Sequence, residues 1–369
     1  MFGGYEHLRF KAAAVQAGPV LKDAPQYFDL ESTLDKALGL IDEAGSRGAR
    51  LIVFPECWLP CFPYWSLDFT DRVPFADMWA KLLWSSIEVP GRETEALCTA
   101  AKKTNAYVVI GINERDKVFQ GRMYNSMLYV SPQGEIMGTH RKICNTVQER
   151  FFHTPGDGGG NLKTVFKTEI GNIGGSMCGE HMQLLLIYNW IMQGIQIHCS
   201  LWPGRTGLET IADITTRALG FSANAFQILA ATYIPEEAQP KNFYRNSLFS
   251  VPNGFIGGSG IINPLGEYIA GPVYGQETII YGDIDLSDID RSRYGVNLVG
   301  IYSRWDLINI NVQQEPYEPV SLMETMMNGL PAAEPDRIKE LEVRLEQLEQ
   351  QIAKFSREMP PEYGDGSSR

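Results

Sequence analysis

Short, continuously apolar segments alternate along the chain with segments whose apolar residues recur every three or four positions. The first kind predicts buried strands, and the second predicts amphipathic helices. Strands are predicted at 10–15, 49–54, 107–112, 170–177, 195–201 and 226–233, and helices at 32–44, 93–104, 182–193 and 210–224. Ser32 and Asp35 predict a capping box at the start of the first helix.

Two features of these segments indicate the fold class. The strands lack polar alternation, which is typical of strands covered on both faces. The turn Pro132-Gln133-Gly134 joins 123–131 and 135–140 as an antiparallel hairpin, so the sheets are not purely parallel. Together the pattern predicts one α/β domain over residues 1–310, a four-layer α-β-β-α sandwich.

The chain beyond residue 310 has a different pattern. Residues 311–335 contain Pro and Met and are predicted to be a linker, while 359–369 are predicted to be a disordered tail. Between them, 336–358 carry an apolar seam in three-four spacing, at Ile338, Leu341, Leu345, Leu348, Ile352 and Phe355. This seam fits either an amphipathic helix packed on its own domain or a self-associating coiled coil, and disorder is the third alternative.

Composition excludes several classes of function. Hydrophobic residues make up 44% of the 369 positions and charged residues 21%, as in globular proteins. A formal net charge of −12 disfavours nucleic acid and anionic membranes as partners, and no apolar run is long enough to span a bilayer. Residues 1–10 have no signal-peptide pattern, and the six cysteines are dispersed, so we expect a cytoplasmic protein with free thiols.

Three reactive side chains follow predicted strands, where α/β folds usually place their sites. Glu56 comes just after strand 49–54, Lys142 closes His140-Arg141-Lys142 after the hairpin, and Cys178 lies on a strand-to-helix turn that resembles a nucleophile elbow. Each has an ordinary explanation when taken alone: a solvated loop carboxylate, a charged turn or a buried thiol.

Taken together, these segments resemble the nitrilase (carbon–nitrogen hydrolase) superfamily, and most of all its true nitrilases. That family uses a Glu–Lys–Cys triad in this chain order, which maps to Glu56, Lys142 and Cys178. The family's second glutamate follows the lysine by seven residues and corresponds to Glu149. The resemblance covers residues 8–310 and includes Phe54-Pro55-Glu56, Cys178-Gly179-Glu180-His181, Ser200-Leu201-Trp202-Pro203 and Gly300-Ile301-Tyr302-Ser303-Arg304.

The chain also departs from the family pattern. True nitrilases usually carry Trp directly after the nucleophile, where this chain has Gly179, and Asn145 replaces a family Pro. Gly179 either removes a large side chain from the rim of the site or permits a positive φ. This departure leaves the substrate range open, whereas the triad is complete.

The resemblance implies a mechanism without a cofactor. Glu56 would act as the base, Lys142 would supply positive charge, and Cys178 would attack a nitrile to form a thioimidate and then a thioester. Glu149 would orient Lys142 or the substrate nitrogen. The helix start after Cys178 is expected to lower the thiol pKa. No metal is expected, because HxxxH and CxxC spacings are missing.

Trp202, Tyr64 and Gly179 are the candidate substrate contacts. The aromatic residues after Glu56 fit either a substrate wall or an interface patch: Trp58, Phe62, Tyr64, Trp65 and Phe69. His181 is expected to support the elbow.

The predicted activity is hydrolysis of a small nitrile to the carboxylic acid and ammonia. An amidase with the same triad, or a nitrile-hydrating enzyme that releases the amide, is the alternative. A non-catalytic assembly protein is disfavoured because all three triad positions are filled. The resemblance also implies a homo-oligomer, a dimer or a larger spiral. The natural nitrile, the ratio of acid to amide and the oligomer size stay open.

Overall fold

Two β-sheets form the centre of the fold. The computed structural model describes residues 8–23, 25–64, 72–240, 254–308 and 310–313. The first sheet has six strands in the order β13-β1-β2-β3-β4-β5. Its strands are β1 (Arg9–Gln16), β2 (Ala49–Val53), β3 (Tyr107–Arg115), β4 (Met123–Val130), β5 (Ile136–Arg141) and β13 (Thr278–Asp285).

The second sheet has seven strands. They lie in the order β10-β11-β9-β8-β7-β6, and β12 also pairs with β11. Its strands are β6 (Phe166–Thr168), β7 (Gly171–Met177), β8 (Ile197–Trp202), β9 (Phe226–Ala231), β10 (Tyr233–Ile234), β11 (Phe255–Ile262) and β12 (Tyr268–Tyr274). Strands β7, β8 and β9 are parallel, so their carboxyl ends share one edge.

Helices cover the outer face of each sheet. The α-helices are α1 (Leu30–Ser46), α2 (Arg72–Ser85), α3 (Arg92–Thr104), α4 (Leu184–Met192), α5 (Glu209–Ala223) and α6 (Ser287–Arg293). Helices α1 and α3 pack on the first sheet, and α4 and α5 form a separate apolar cluster beside the second. The predicted four-layer α-β-β-α sandwich is therefore confirmed.

Strand β1 shows how one short apolar run serves two cores. Ala13 and Val15 face α1 and α3, while Ala12 and Ala14 face the second sheet. Successive side chains of a strand point to opposite faces, so a strand covered on both sides needs apolar residues at every position. This is the physical reason that the strands lack polar alternation.

Two details of the helices differ from the prediction. Helix α1 begins at Leu30, and Asp29 caps it by accepting from Ser32 N at 3.1 Å, so the predicted Ser32–Asp35 capping box is wrong. Helices α2 and α6 were not predicted from the sequence. In the part of the chain that the structure describes, no helix is both long and apolar enough to cross a membrane. The predicted linker, C-terminal helix and tail lie almost wholly outside the described residues.

Candidate active site

The carboxyl ends of β2, β5 and β7 bring the predicted side chains together. Glu56 follows β2, Lys142 follows β5, and Glu149 lies on a short 3-10 helix, Val147–Phe151. Lys142 Nζ donates to Glu56 Oε1 at 2.6 Å and to Glu149 Oε1 at 2.7 Å. All three side chains are buried. Glu56 and Lys142 are 86 positions apart in the sequence, yet they share one polar cluster.

Cys178 begins a second 3-10 helix directly after β7 and faces the same cluster. It is partly buried, and its sulfur interacts electrostatically with Glu56, Lys142 and Glu149. Its φ is 42°, in the left-handed region that costs a non-glycine residue about 1–3 kcal/mol. The positive φ therefore lies at Cys178 itself and not at Gly179, which excludes the backbone explanation for that glycine.

The strained turn is held by buried polar contacts. Glu180 accepts from Met177 N at 3.1 Å, Ile143 N at 2.8 Å and His140 Nε2 at 3.0 Å. It thus joins the chain before Cys178 to the chain after Lys142. His181 Nδ1 lies 2.9 Å from the carbonyl oxygen of Cys178, which supports the expected role of this histidine in holding the elbow.

Glycine 111 allows the Glu56 loop to approach β3. Gly111 N donates to Pro55 O at 3.2 Å, and its carbonyl accepts from Leu59 N at 3.1 Å. A Cβ at position 111 would lie 2.7 Å from Glu56 Cα, closer than real side chains come. The position of Glu56 therefore depends on a residue that has no side chain.

Glu56 and Glu149 differ in the number of hydrogen bonds that their carboxylate oxygens accept. Glu56 Oε1 accepts from Lys142 and from Asn125 Nδ2 at 2.7 Å, while Oε2 has no partner among the described residues. Glu149 Oε1 accepts from the same two groups, and its Oε2 accepts from Thr146 N at 2.7 Å and Thr146 Oγ1 at 2.8 Å.

This difference sets the protonation of the cluster. Burial and the nearby Glu149 charge raise the pKa of Glu56 to about 8, although Lys142 and Asn125 act against them. Burial alone would also raise the pKa of Glu149, but the charges of Lys142 and His153 and the hydrogen bonds from Lys142 and Thr146 lower it to about 2. Glu149 is therefore the permanent counter-ion of Lys142, and Glu56 can exchange a proton near neutral pH.

The thiol is less acidic than the sequence suggested. Burial and the Glu56 carboxylate raise the pKa of Cys178 above its usual value, and Lys142 and the Gly179 N–H only partly oppose them. The expectation of a lowered thiol pKa is wrong, because the helix that follows Cys178 is one short 3-10 turn in a desolvated site. The thiol stays protonated until a base takes its proton.

A cavity of about 280 Å³ opens beside the cluster. Cys178 and Glu149 form its polar wall, and the rest is mainly apolar. Among the described residues the lining also includes Phe62, Tyr64, Thr146, Val147, Met182, Trp202, Pro203, Arg205, Leu208 and Ile211. The structure therefore places Tyr64 and Trp202 in the wall of the cavity, as expected of substrate contacts.

Gly179 lies behind this wall. It is buried, and a Cβ there would meet Thr146 Cγ2 at 2.9 Å. Of the aromatic residues after Glu56, Phe62 and Tyr64 line the cavity, whereas Trp58 is in the core and donates to Ala17 O at 2.8 Å. Trp65 and Phe69 lie outside the described residues.

The sequence also matches known proteins. The carbon–nitrogen hydrolase family matches residues 11–294. The chain belongs to this family. An aliphatic nitrilase of Sinorhizobium fredii is 34% identical over 85% of this chain and 98% of its own length, and nitrilase 3 of Arabidopsis thaliana is 33% identical over 82% and 88%. A bifunctional nitrilase/nitrile hydratase of Lupinus angustifolius is 32% identical over 85% and 89%.

Solved structures give the same fold. Nit3 of Saccharomyces cerevisiae, a member of branch 10 of the nitrilase superfamily, has a TM-score of 0.62 at 18% identity and covers 80% of this chain and 96% of its own. The C. elegans NitFhit protein has a TM-score of 0.63 at 17% identity, covering 84% and 69%. The resemblance inferred from motifs to the carbon–nitrogen hydrolase family is thus confirmed.

Proposed function

We propose that this carbon–nitrogen hydrolase is a nitrilase that converts a small organic nitrile to its carboxylic acid and ammonia. One observation carries the proposal: Cys178 lines a cavity beside a lysine-bridged Glu56 whose second oxygen has no partner among the described residues. Cys178 interacts electrostatically with Glu56, and the unengaged oxygen of this carboxylate is free to take the thiol proton and so activate the nucleophile. Relatives at 32–34% identity that are named nitrilases support the choice of substrate.

The first half of the reaction attaches the substrate to sulfur. Glu56 Oε2 takes the thiol proton while the sulfur of Cys178 forms a bond to the nitrile carbon. One electron pair of the C≡N bond moves to nitrogen, which takes from Glu56 the proton that came from the thiol and becomes the imine of a thioimidate. The Lys142 ammonium lies 2.6 Å from Glu56 Oε1 and stabilises the negative charge that develops.

The second half releases both products. Glu56, ionised again, takes a proton from water and passes it to nitrogen, while the water oxygen adds to the thioimidate carbon and gives a tetrahedral adduct. The hydroxyl proton of the adduct then passes through Glu56 to nitrogen as the C–N bond breaks. Ammonia leaves, and a thioester remains. A second water attacks the thioester, the C–S bond breaks, and sulfur regains a proton as the carboxylic acid departs.

Glu149 is the positioning partner of Lys142 in this scheme. Its two oxygens are occupied by Lys142, Asn125 and Thr146, so neither is left to move a proton. Trp202 and Tyr64 would contact the substrate side chain through their faces in the cavity wall. Gly179 would act on the substrate range through Thr146 and Met182, two residues of the cavity wall that lie next to it.

The test is a panel of aliphatic, aromatic and arylacetonitriles, each with its amide. Ammonia and acid formed together from at least one nitrile would support the proposal. Amide as the main product would indicate the hydratase outcome, in which the tetrahedral adduct loses sulfur before nitrogen. Turnover of amides alone would replace the proposal with an amidase, and turnover of nothing would favour a binding protein.

We further propose that the protein self-associates through α4 and α5. The two helices pack together and expose apolar side chains at Leu184, Leu185, Met192, Ile211, Ile214 and Phe221. Apolar patches of this kind mark contact surfaces, and the resemblance to nitrilases implies homo-oligomers. Leu185→Lys with Ile214→Lys should reduce the mass measured by light scattering, while Val118→Lys, at an exposed apolar site elsewhere, should not. Deleting 336–369 tests whether the C-terminal segment adds to the assembly.

We propose a cytoplasmic location for the enzyme. All six cysteines are free thiols, which suits a reducing compartment. Cell fractionation with antibody detection tests this, and recovery in an oxidising compartment would contradict it.

A further inference from the structure

The side chain of Asn125 lies between the two carboxylates of the site. It is on β4 and fully buried, and its Nδ2 donates to Glu56 Oε1 at 2.7 Å and to Glu149 Oε1 at 3.2 Å. These are the same two oxygens that accept from Lys142 Nζ. A neutral amide and an ammonium group therefore bridge one pair of carboxylates.

The neighbours of the amide decide its orientation. A flipped side chain would place Oδ1 against two carboxylate oxygens, which are acceptors when ionised. In the observed orientation both donors are used, while Oδ1 is buried and has no partner among the described residues. Since an unpaired buried acceptor destabilises a protein, an amide at this position is poorly explained by stability alone. Its donors point to a role at the carboxylates.

The main chain of Asn125 reaches the third charged residue. Lys142 N donates to Asn125 O at 2.7 Å, at the point where β4 and β5 end their pairing. Asn125 thus contacts Glu56 and Glu149 through its side chain and Lys142 through its backbone. Few positions could affect the geometry of all three groups in this way.

We propose that Asn125 is a positioning residue of this site. Its two N–H bonds hold Oε1 of Glu56 and of Glu149 on Lys142, and so leave Glu56 Oε2 as the oxygen that takes the thiol proton. The inference rests on the proposed function for the identity of the substrate. It does not depend on that function for the reactivity of Cys178.

Loss of the amide has a consequence with a definite sign. The hydrogen bond from Asn125 lowers the pKa of Glu56 against the effect of burial. Without it, Glu56 keeps its proton to a higher pH. Because the base must be ionised to activate the thiol, the acid limb of reactivity moves toward higher pH.

The experiment compares Asn125→Leu, which keeps the size and removes the donors, with Asn125→Asp, which adds a third carboxylate. The first readout is the rate at which iodoacetamide alkylates Cys178 across pH, followed by mass spectrometry of its peptide. The second is kcat/KM for a nitrile that the wild type hydrolyses. We expect a loss of about tenfold or more at neutral pH and a shift of the acid limb by about one pH unit, larger in Asn125→Asp.

Asn113 provides the matched control. It is the cross-strand partner of Asn125 on β3 and is also fully buried, but its Nδ2 donates to Cys61 O at 2.9 Å and its Oδ1 lies 2.8 Å from His153 Nε2. Asn113→Leu should lower the melting temperature without moving the acid limb.

Each outcome decides the proposal. An acid limb that stays in place in folded Asn125→Asp, or an equal shift in Asn113→Leu, would overturn the positioning role. A shift of alkylation confined to the Asn125 variants supports it. If that shift appears while the wild type hydrolyses no nitrile, the positioning role stands and the proposed function fails.

Discussion

Glu56 and Glu149 flank the same ammonium group, yet the regions that carry them are built differently. Glu56 lies in a loop after β2 and uses one oxygen, whereas Glu149 lies on a 3-10 helix whose own start binds its second oxygen through Thr146. Both are desolvated, but Glu149 also has the charge of His153 and the bonds from Thr146 to lower its pKa, whereas the Glu149 charge raises the pKa of Glu56. The difference teaches that the charges and hydrogen bonds around a carboxylate, and not its residue type, decide whether it can exchange a proton near neutral pH.

The largest effect on turnover should come from removing the Cys178 thiol, which lies beside both carboxylates. Cys178→Ala should lower turnover by about four orders of magnitude or more, to background, because the variant lacks the sulfur that is proposed to form the covalent intermediate. Ammonia release and circular dichroism measure activity and fold. Cys98→Ser, on α3, is the matched control and should stay active. Substantial activity in folded Cys178→Ala would refute the nucleophile.

Glu56→Gln should have the next largest effect, a loss of kcat of about three orders of magnitude, because the amide cannot accept a proton.

The same substitution should change how the stability of the fold depends on pH. The pKa of Glu56 is raised to about 8, so its contribution to folding is complete below its usual value and is lost as the pH rises through 8. The melting temperature of Glu56→Gln should therefore rise relative to that of the wild type between about pH 4.5 and 8, and the difference should stay constant above that range. A constant difference within that range would contradict the raised pKa.

Glu149→Gln should reduce kcat less, by about ten- to a hundredfold, since the base is still present and only its lysine is poorly held. The Glu149→Gln variant should be less stable than the wild type at neutral pH. The pKa of Glu149 is lowered to about 2, so its ionised form stabilises the fold above its usual value, and this is lost as the pH falls toward 2. Melting curves should show the deficit shrinking below about pH 4.5. A loss of activity equal to that of Glu56→Gln would remove the distinction between the two residues.

Thr146→Val should have the smallest effect. It deletes the hydroxyl bond to Glu149 Oε2 and keeps the backbone bond, which we expect to cost about 1–3 kcal/mol of stability and a few-fold in kcat. Urea unfolding and steady-state kinetics measure both. Thr99→Val, at an exposed threonine on α3, is the control. An unchanged free energy of unfolding would show that the backbone bond alone holds Glu149.

The motifs were sufficient to predict that Glu56, Lys142 and Cys178 come together, and the apolar runs were sufficient to predict most strands and the layers. The residues that surround and contact these three were not predicted. Asn125 is a polar residue within a strand, and its role depends on the register of β3, β4 and β5, which no local pattern encodes. Thr146 stands in a motif segment, but its bond to Glu149 appears only once the 3-10 helix forms.

Two of the sequence-based predictions are wrong for the same physical reason. The thiol pKa was expected to fall because a helix start was predicted, but burial and a nearby carboxylate dominate at Cys178. Helix α1 was expected to begin at Ser32, but Asp29 supplies the cap. In both cases a contact or a degree of burial determined the outcome, and neither composition nor periodicity reveals it.

Gly111 has a consequence for attempts to evolve this protein. The proposed base, Glu56, can lie where it does because Gly111 on the neighbouring strand has no Cβ. A mutant library limited to positions that face the cavity would never sample this residue, although a single methyl group there would displace Glu56. A scan of substitutions at every position should therefore find that Gly111 tolerates no replacement, although it has no reactive group and contacts no ligand.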